Sequence, residues 1–113
     1  MAVCENCLGL ATDFYRLLSV AARATAQLEI DKQRRFVSSI AHAERQLEER
    51  LATAGFRLAP LIGRPFDPGL PARALNIDEF SGDEQLVVES VIEPAILSDR
   101  GVERHGVVTV KRA

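Results

Sequence analysis

The sequence predicts an α+β protein with N-terminal helices followed by a small all-β head domain. Between Gly9 and Gly55 the chain contains neither Gly nor Pro and is rich in Ala, Leu, Arg, Glu and Gln, which favour helix. All 5 prolines follow Gly55, together with β-branched runs typical of strands. We therefore divide the chain into an N-terminal tail over 1–9, a helical region over 10–58 and a β head over 59–113.

Composition narrows the classes of function. Aromatic residues make up 5% of the 113 residues and Trp is absent, so the core should be aliphatic, and a large buried active site is not expected in so short a chain. The net charge of -2 provides no basic surface for a nucleic-acid backbone. No run approaches the ~20 apolar residues of a membrane span, and the start lacks the basic segment of a secretory signal. We expect a soluble, cytoplasmic protein that binds neither nucleic acid nor membrane.

Residues at alternating three- and four-residue steps form two seams of the coiled-coil type. The first seam is Leu10, Phe14, Leu17, Ala21, Ala24 and Leu28, and the second is Ile30, Gln33, Val37, Ile40, Glu44, Leu47, Leu51 and Ala54. Since the first seam does not continue in phase, we predict two helices with a break between Leu28 and Asp31, the alternative being one helix whose face drifts. Gly55 should end the second helix, because glycine enters the left-handed conformation without a side-chain penalty.

The head begins with a proline-rich corner, Pro65-Phe66-Asp67-Pro68-Gly69. Its two prolines fix φ, Asp67 can form an Asx turn and Gly69 is conformationally permissive. Phe66 should attach the corner to a core. The corner therefore predicts a rigid change of chain direction.

The sequence predicts strands in the remainder of the head. Residues 86–92 and 107–111 are β-branched and long enough for strands, with shorter strands at 96–97 and Val102. Asp99-Arg100-Gly101 is a natural hairpin turn. Pro94 cannot donate a ladder hydrogen bond, so it should lie at a strand end or a sheet edge.

This order of parts resembles the GrpE family, dimeric exchange factors that make a DnaK-type chaperone release ADP. The corner Gly63-Arg64-Pro65-Phe66-Asp67-Pro68 with Leu70 is similar to the family's Gly-x-Pro-Phe-Asp-Pro-x-Leu, and Leu51-Ala-Thr-Ala-Gly55-Phe56 resembles its Leu-x-x-x-Gly-Val. Val102, Arg104, Val108 and Val110 fall where the family carries a hydrophobic residue, an arginine and alternating valines. The resemblance covers about residues 10–112.

Departures from the family pattern lie mainly in the head. Pro71 stands where the family usually has His, and the hairpin sequence moves its arginine by one residue, to Arg100. Residues 93–96 replace Gln-Lys-Gly-Tyr, and 104–106 replace Arg-Pro-Ala. The family's long N-terminal helical stalk has no counterpart in this sequence, so we expect its roles to be missing.

The resemblance implies a homodimer in which two helices per protomer form a four-helix bundle over region 10–58, with a β head on each side. It leaves open a helix hairpin or a long parallel coil. The implied dimer interface is Phe14, Leu17, Val37, Ile40, Leu47 and Leu51, and the implied structural hinge is Gly55, Gly63, Pro65, Phe66, Asp67 and Pro68. The head would bind the chaperone's nucleotide-binding domain through Arg104, Arg100, Val110 and Val108.

Such a co-chaperone, active in protein folding and the stress response, needs no catalytic residue and no cofactor. The sequence contains no phosphate loop, G-x-S-x-G or H-E-x-x-H, so we expect no enzyme activity. One alternative is a dimeric scaffold of the same fold that has lost exchange. Another is a metal- or redox-responsive regulator that uses Cys4 and Cys7, although a lone C-x-x-C is half a zinc site and two simple thiols are the plainer interpretation.

Overall fold

The computed structural model describes residues 5–113. The protein is α+β, with two helices followed by two small three-stranded sheets. The elements are α1 (Glu5–Ala26), α2 (Ile30–Thr53), β1 (Arg57–Leu58), β2 (Ala72–Ala74), a 3₁₀ helix (Ile77–Glu79), β3 (Leu86–Glu93), β4 (Ile96–Ser98), β5 (Gly101–Arg104) and β6 (Gly106–Arg112). The chain divides into two compact units, Met1–Gly55 and Phe56–Ala113, which we call the helical unit and the β unit.

The helices lie within the predicted region except at its bounds: α1 begins earlier than expected, and α2 ends at Thr53, so residues 57–58 belong to β1 of the β unit and not to the helical region. It starts at Glu5, so residues 5–9 are helical and the prediction of a tail is wrong for them. Gly9 within a helix costs about 1 kcal/mol relative to Ala, whereas Leu8 is buried, which contributes about 1.5–3 kcal/mol. Burial of Leu8 therefore outweighs the cost of the glycine. Within residues 5–113 neither helix is long and apolar enough to cross a membrane.

The break between the helices is confirmed, since α1 ends at Ala26 and α2 begins at Ile30. The side-chain amide of Gln33 donates to the Ala26 carbonyl at 3.2 Å and to the Leu28 carbonyl at 2.8 Å. These carbonyls lie at the end of α1, where no helical partner remains for them. Gln33, a polar member of the second seam, thus fastens the turn between the two helices.

The two helices form an antiparallel hairpin within one chain. Gln33 near the start of α2 contacts Ala26 at the end of α1, and Tyr15 in the middle of α1 faces Glu44 further along α2. Partial burial raises the pKa of Tyr15, and the negative charge of Glu44 raises it further. The hairpin, rather than the long parallel coil, is therefore the arrangement of this chain.

The core of the helical unit is small. Its buried side chains are Leu8, Thr12, Leu18 and Thr25 from α1 and Leu47 and Leu51 from α2. The buried Thr12 hydroxyl donates to the Leu8 carbonyl at 2.9 Å, so this polar group does not lose a hydrogen bond on burial. Gly55 follows the last helical turn with φ of 90°, which confirms its predicted role at the end of α2.

In the β unit, one sheet has the order β1-β4-β5 and the other β2-β6-β3. In the second sheet β6 runs parallel to β2 and antiparallel to β3. The four predicted strands are present, the turn between β4 and β5 falls at Asp99 and Arg100, and Pro94 lies between the ends of β3 and β4. Strands β1 and β2 were not predicted, because runs of two and three residues are too short to show a period.

The core of the β unit is aliphatic, as composition predicted. It consists of Leu61, Leu86, Val88, Ala95, Val108 and Val110, with Phe66 and Phe80 packed against it. The Asn76 side chain extends the hydrogen-bond ladder between the parallel strands β2 and β6. The Asn76 amide nitrogen donates to the Val110 carbonyl, and the Val110 amide donates to the Asn76 side-chain oxygen, both at 2.9 Å. Asn76 therefore replaces one peptide group of a strand.

The proline-rich corner is built as predicted. Asp67 Oδ1 accepts a hydrogen bond from the Gly69 amide at 2.8 Å, which confirms the Asx turn, and Phe66 packs against the core. The Phe66 amide also donates to the Leu86 carbonyl at 2.9 Å, so the corner covers the edge of β3. The left-handed φ of 78° falls at Gly63 and not at Gly69, where a Cβ would lie 3.2 Å from Asp67 Oδ1.

Candidate functional site

Two of the residues predicted to contact a chaperone belong to the core. Val108 and Val110 of β6 are 0% and 1% exposed, so neither has surface to offer a partner, and both are removed from the binding set. The reason is that Val108 and Val110, two residues apart on β6, lie on the same face of the strand, and this face packs into the core. The alternating valines predicted a strand correctly, but they could not show that both of these side chains would be covered.

Of the two predicted arginines, Arg100 lies in the turn before β5 and Arg104 is the last residue of β5. Arg104 pairs with Ile96, whose side chain is fully buried, and is itself half-buried. Arg100 lies in the exposed turn, where its amide donates to Ser98 Oγ at 3.1 Å. Within residues 5–113 neither arginine forms an ion pair. Arg100 is therefore the more accessible of the two for an acidic partner.

A row of side chains that sequence reasoning missed crosses the first sheet. Arg57 of β1 pairs with Leu97 of β4, and Leu97 pairs with Val102 of β5. Directly paired residues share one face of a sheet, so these three form a row, which we call the cross-strand row. Arg57 and Val102 are exposed and Leu97 is half-buried. Arg57 comes to lie beside the hairpin only through β1, which no sequence pattern predicted.

A cavity of about 420 Å³ adjoins this row, and we call it the corner pocket. Its walls include Pro60, Pro65, Pro71, Leu70 and Leu97, and Arg64 and Asp67 also line it. Leu97 belongs to both the cross-strand row and the corner pocket, so the two form one continuous surface of the β unit. Pro71, which departs from the family pattern, is part of this wall.

In the helical unit, the first seam is largely uncovered. Leu10, Phe14, Leu17 and Leu28 are exposed, Leu17 by 64%. Val20 of α1 and Phe36 of α2 add further exposed apolar surface. With Ile30 and Val37, eight large apolar side chains are exposed among the described residues of this unit, which exceeds the scattered exposure that is normal on a monomer. This seam is the strongest candidate for an interface in the helical unit.

The predicted interface residues of the second seam differ in burial. Leu47 and Leu51 were predicted at the dimer interface, but at 8% and 6% exposed they are already buried within a single chain. Val37 is exposed and Ile40 half-buried, and both line a groove of about 310 Å³ between α1 and α2. This groove and the first seam share no residue.

The cysteine hypothesis falls partly outside the described residues, because Cys4 precedes Glu5. Cys7 is exposed in the first turns of α1. Among residues 5–113 no group of three or more His, Cys, Asp and Glu side chains is arranged to hold a metal ion. The described residues therefore add nothing to the regulator hypothesis.

Comparison with known proteins found no family model, no curated protein and no solved structure that matches the chain. Function is therefore inferred from the residues and their arrangement.

Proposed function

We propose that the chain is an exchange factor of the GrpE type, a homodimer whose β units bind the nucleotide-binding domain of a DnaK-type chaperone and promote release of ADP. The observation that carries this proposal is the corner. Gly63 has the left-handed φ that favours glycine, Asp67 closes an Asx turn and Phe66 packs against the core. Gly63, Phe66 and Asp67 of the Gly-x-Pro-Phe-Asp-Pro sequence therefore each have a structural role that suits their chemical type.

The exposed first seam supports the homodimer. Burial of apolar surface stabilises by about 25 cal/mol per Å², and in a single chain Phe14 and Leu17 leave 40% and 64% of their surface outside this effect. A second copy would offer the same seam, and a two-fold axis would bring the two together as a self-complementary interface. Two hairpins joined in this way make a four-helix bundle.

Exchange by such a dimer requires binding and no chemistry. The factor must bind the open form of the nucleotide cleft more tightly than the closed form, because equal affinity for both would shift nothing. Each tenfold preference for the open form favours opening by about 1.4 kcal/mol. The cross-strand row and Arg100 supply the exposed apolar and cationic groups that such a surface needs.

Release of a fluorescent ADP analogue from the cognate chaperone, followed by stopped flow, tests the proposal. We expect the release rate to rise with added protein and then saturate. A rate unchanged at saturating protein would contradict exchange activity. The nucleotide-binding domain alone should respond like the intact chaperone, since the proposal requires no other part of it.

A scaffold without exchange activity is the second candidate. It is favoured by the burial of Val108 and Val110 and the half-burial of Arg104, because the accessible surface then differs from the one that the family motif implies. A complex that forms on a sizing column while the release of ADP stays unchanged would support the scaffold over the exchange factor.

A further inference from the structure

The corner pocket is held open by its own backbone. Its three prolines have fixed φ, and the segment that contains Pro65 is hydrogen-bonded to β3 on both sides of this residue. The Gly63 amide donates to the Val88 carbonyl and the Phe66 amide to the Leu86 carbonyl, both at 2.9 Å. A preformed pocket loses little conformational entropy when a partner enters, which favours affinity.

The charges around the pocket favour an acidic partner. Arg64 lines the pocket and Arg57 lies in the adjoining cross-strand row, and both are exposed. Neither arginine forms an ion pair with another of residues 5–113. Asp67 is the acidic residue of the lining, and its Oδ1 already accepts the Gly69 amide. Asp67 keeps its negative charge, so the lining and the row together carry two arginines against one carboxylate, a net charge of +1.

The walls favour an apolar anchor. Leu70, Leu97 and three prolines surround a volume of about 420 Å³, which has room for a large aliphatic or aromatic side chain. Interfaces concentrate binding energy in such anchors, each inserted into a pocket and surrounded by polar groups that exclude water. The row continues from the pocket through Leu97 to Val102, so a bound surface would cover both.

We infer that the corner pocket receives one apolar side chain of the chaperone's nucleotide-binding domain, beside a carboxylate that pairs with Arg64. This inference rests on the proposed function and adds to it the location and chemistry of the anchor. It places the principal contact at the corner and the cross-strand row, and not at the valines of β6.

The test uses the intact protein with methyl-labelled leucines and the unlabelled nucleotide-binding domain of the cognate chaperone. We expect the methyl resonances of Leu70 and Leu97 to shift on binding. Arg64→Glu should raise the dissociation constant by roughly tenfold or more, and Leu97→Ser should raise it as well. The matched control is Arg73→Glu, a charge reversal at an exposed arginine of β2 outside the pocket, which should leave affinity within about twofold.

The outcomes separate the two proposals. Binding by the wild type with unshifted Leu70 and Leu97 methyls, and with equal affinities for the Arg64 and Arg73 variants, would overturn the pocket while leaving exchange intact. If the wild type does not bind the domain at all, the proposed function and the pocket both fail. A proton spectrum of each variant checks its fold, and Arg64→Glu is expected to keep it because the replaced side chain is exposed.

Discussion

The two units differ in how completely a single chain covers them. In the β unit, Ile96, Val88, Val108 and Val110 are less than 2% exposed, and Asn76 completes a ladder that the backbone leaves unfinished. In the described part of the helical unit few side chains are buried, and the large apolar residues of the first seam are exposed. The β unit is finished within one chain, whereas the helical unit leaves an apolar seam exposed, which is why we propose that a second copy covers it.

Loss of a fully buried side chain should have the largest effect, and it should fall on the β unit. Ile96→Ala removes a side chain that is 0% exposed, and we expect a loss of about 2–5 kcal/mol in the free energy of unfolding. Amide hydrogen exchange of β6 residues measures this loss. The control Ile62→Ala replaces an exposed residue of the same unit and should change the stability by less than about 0.5 kcal/mol. Equal effects of the two changes would contradict the description of the core.

A charge on the first seam should separate the protomers. Leu17→Asp removes an apolar side chain from both halves of the proposed interface, and the transfer term alone, about 1.5–3 kcal/mol per leucine, predicts a dimer weakened at least about a hundredfold. Sedimentation velocity over a dilution series measures this change. The matched control is Ile62→Asp, because Ile62 is 65% exposed and Leu17 64%. If both variants keep the same association state, the first seam is not the interface.

An added methyl group should distinguish a crowded glycine from an open one. A Cβ at Gly106 would lie 3.0 Å from the Ala95 amide nitrogen, the Glu93 carbonyl oxygen and Leu61 Cδ1, so Gly106→Ala should cost about 1–3 kcal/mol. A Cβ at Gly82 would meet nothing within 4 Å, and Gly82→Ala should be near neutral. Urea denaturation of both variants checks this, and a neutral Gly106→Ala would show that the strand start is more loosely packed than described.

Removal of the side chain that continues the β2-β6 ladder should have a local effect. Asn76→Ala leaves the buried amide and carbonyl of Val110 without their side-chain partners, at a cost of about 1–3 kcal/mol. The Val110 amide should exchange faster with deuterium, while the Leu75 amide, which donates to the Val108 carbonyl, should change less. Unchanged exchange at Val110 would mean that its hydrogen bonds with the Asn76 side chain do not stabilise the ladder.

The smallest effect is expected from the surface pair of Glu84 and Arg112. The hydrogen bond from Arg112 is the largest cause that lowers the pKa of Glu84, and the Ser81 amide adds to it. A carboxyl group whose pKa is lowered by folding stabilises the fold above its unfolded pKa, and this contribution is lost as pH falls through the lowered value. Arg112→Gln should therefore reduce the melting temperature slightly at neutral pH and have no effect in strong acid. A difference that persists in acid would point to lost stacking on Phe80, whose ring lies 5.6 Å from the Arg112 guanidinium carbon.

Sequence patterns predicted what depends on local chemistry. Gly55, the Asx turn of Asp67 and the hairpin at Asp99 follow from backbone preferences of single residues, and all three are present. Strand β1 and the pairing of Arg57 with Leu97 depend on contacts between distant segments, so no local pattern reports them. The same limit explains why Val108 and Leu47 were predicted at contact surfaces although both are buried. A periodic apolar residue does not reveal whether its own chain or a second molecule covers it.

The mass of the wild-type protein in solution tests the central claim most directly, since that claim is that the helical unit is completed by a second copy. Light scattering coupled to a sizing column at micromolar concentration should give twice the 12.4 kDa of one chain. A single-chain mass that persists as the concentration is raised would contradict the claim, because the first seam would then be stable while facing water.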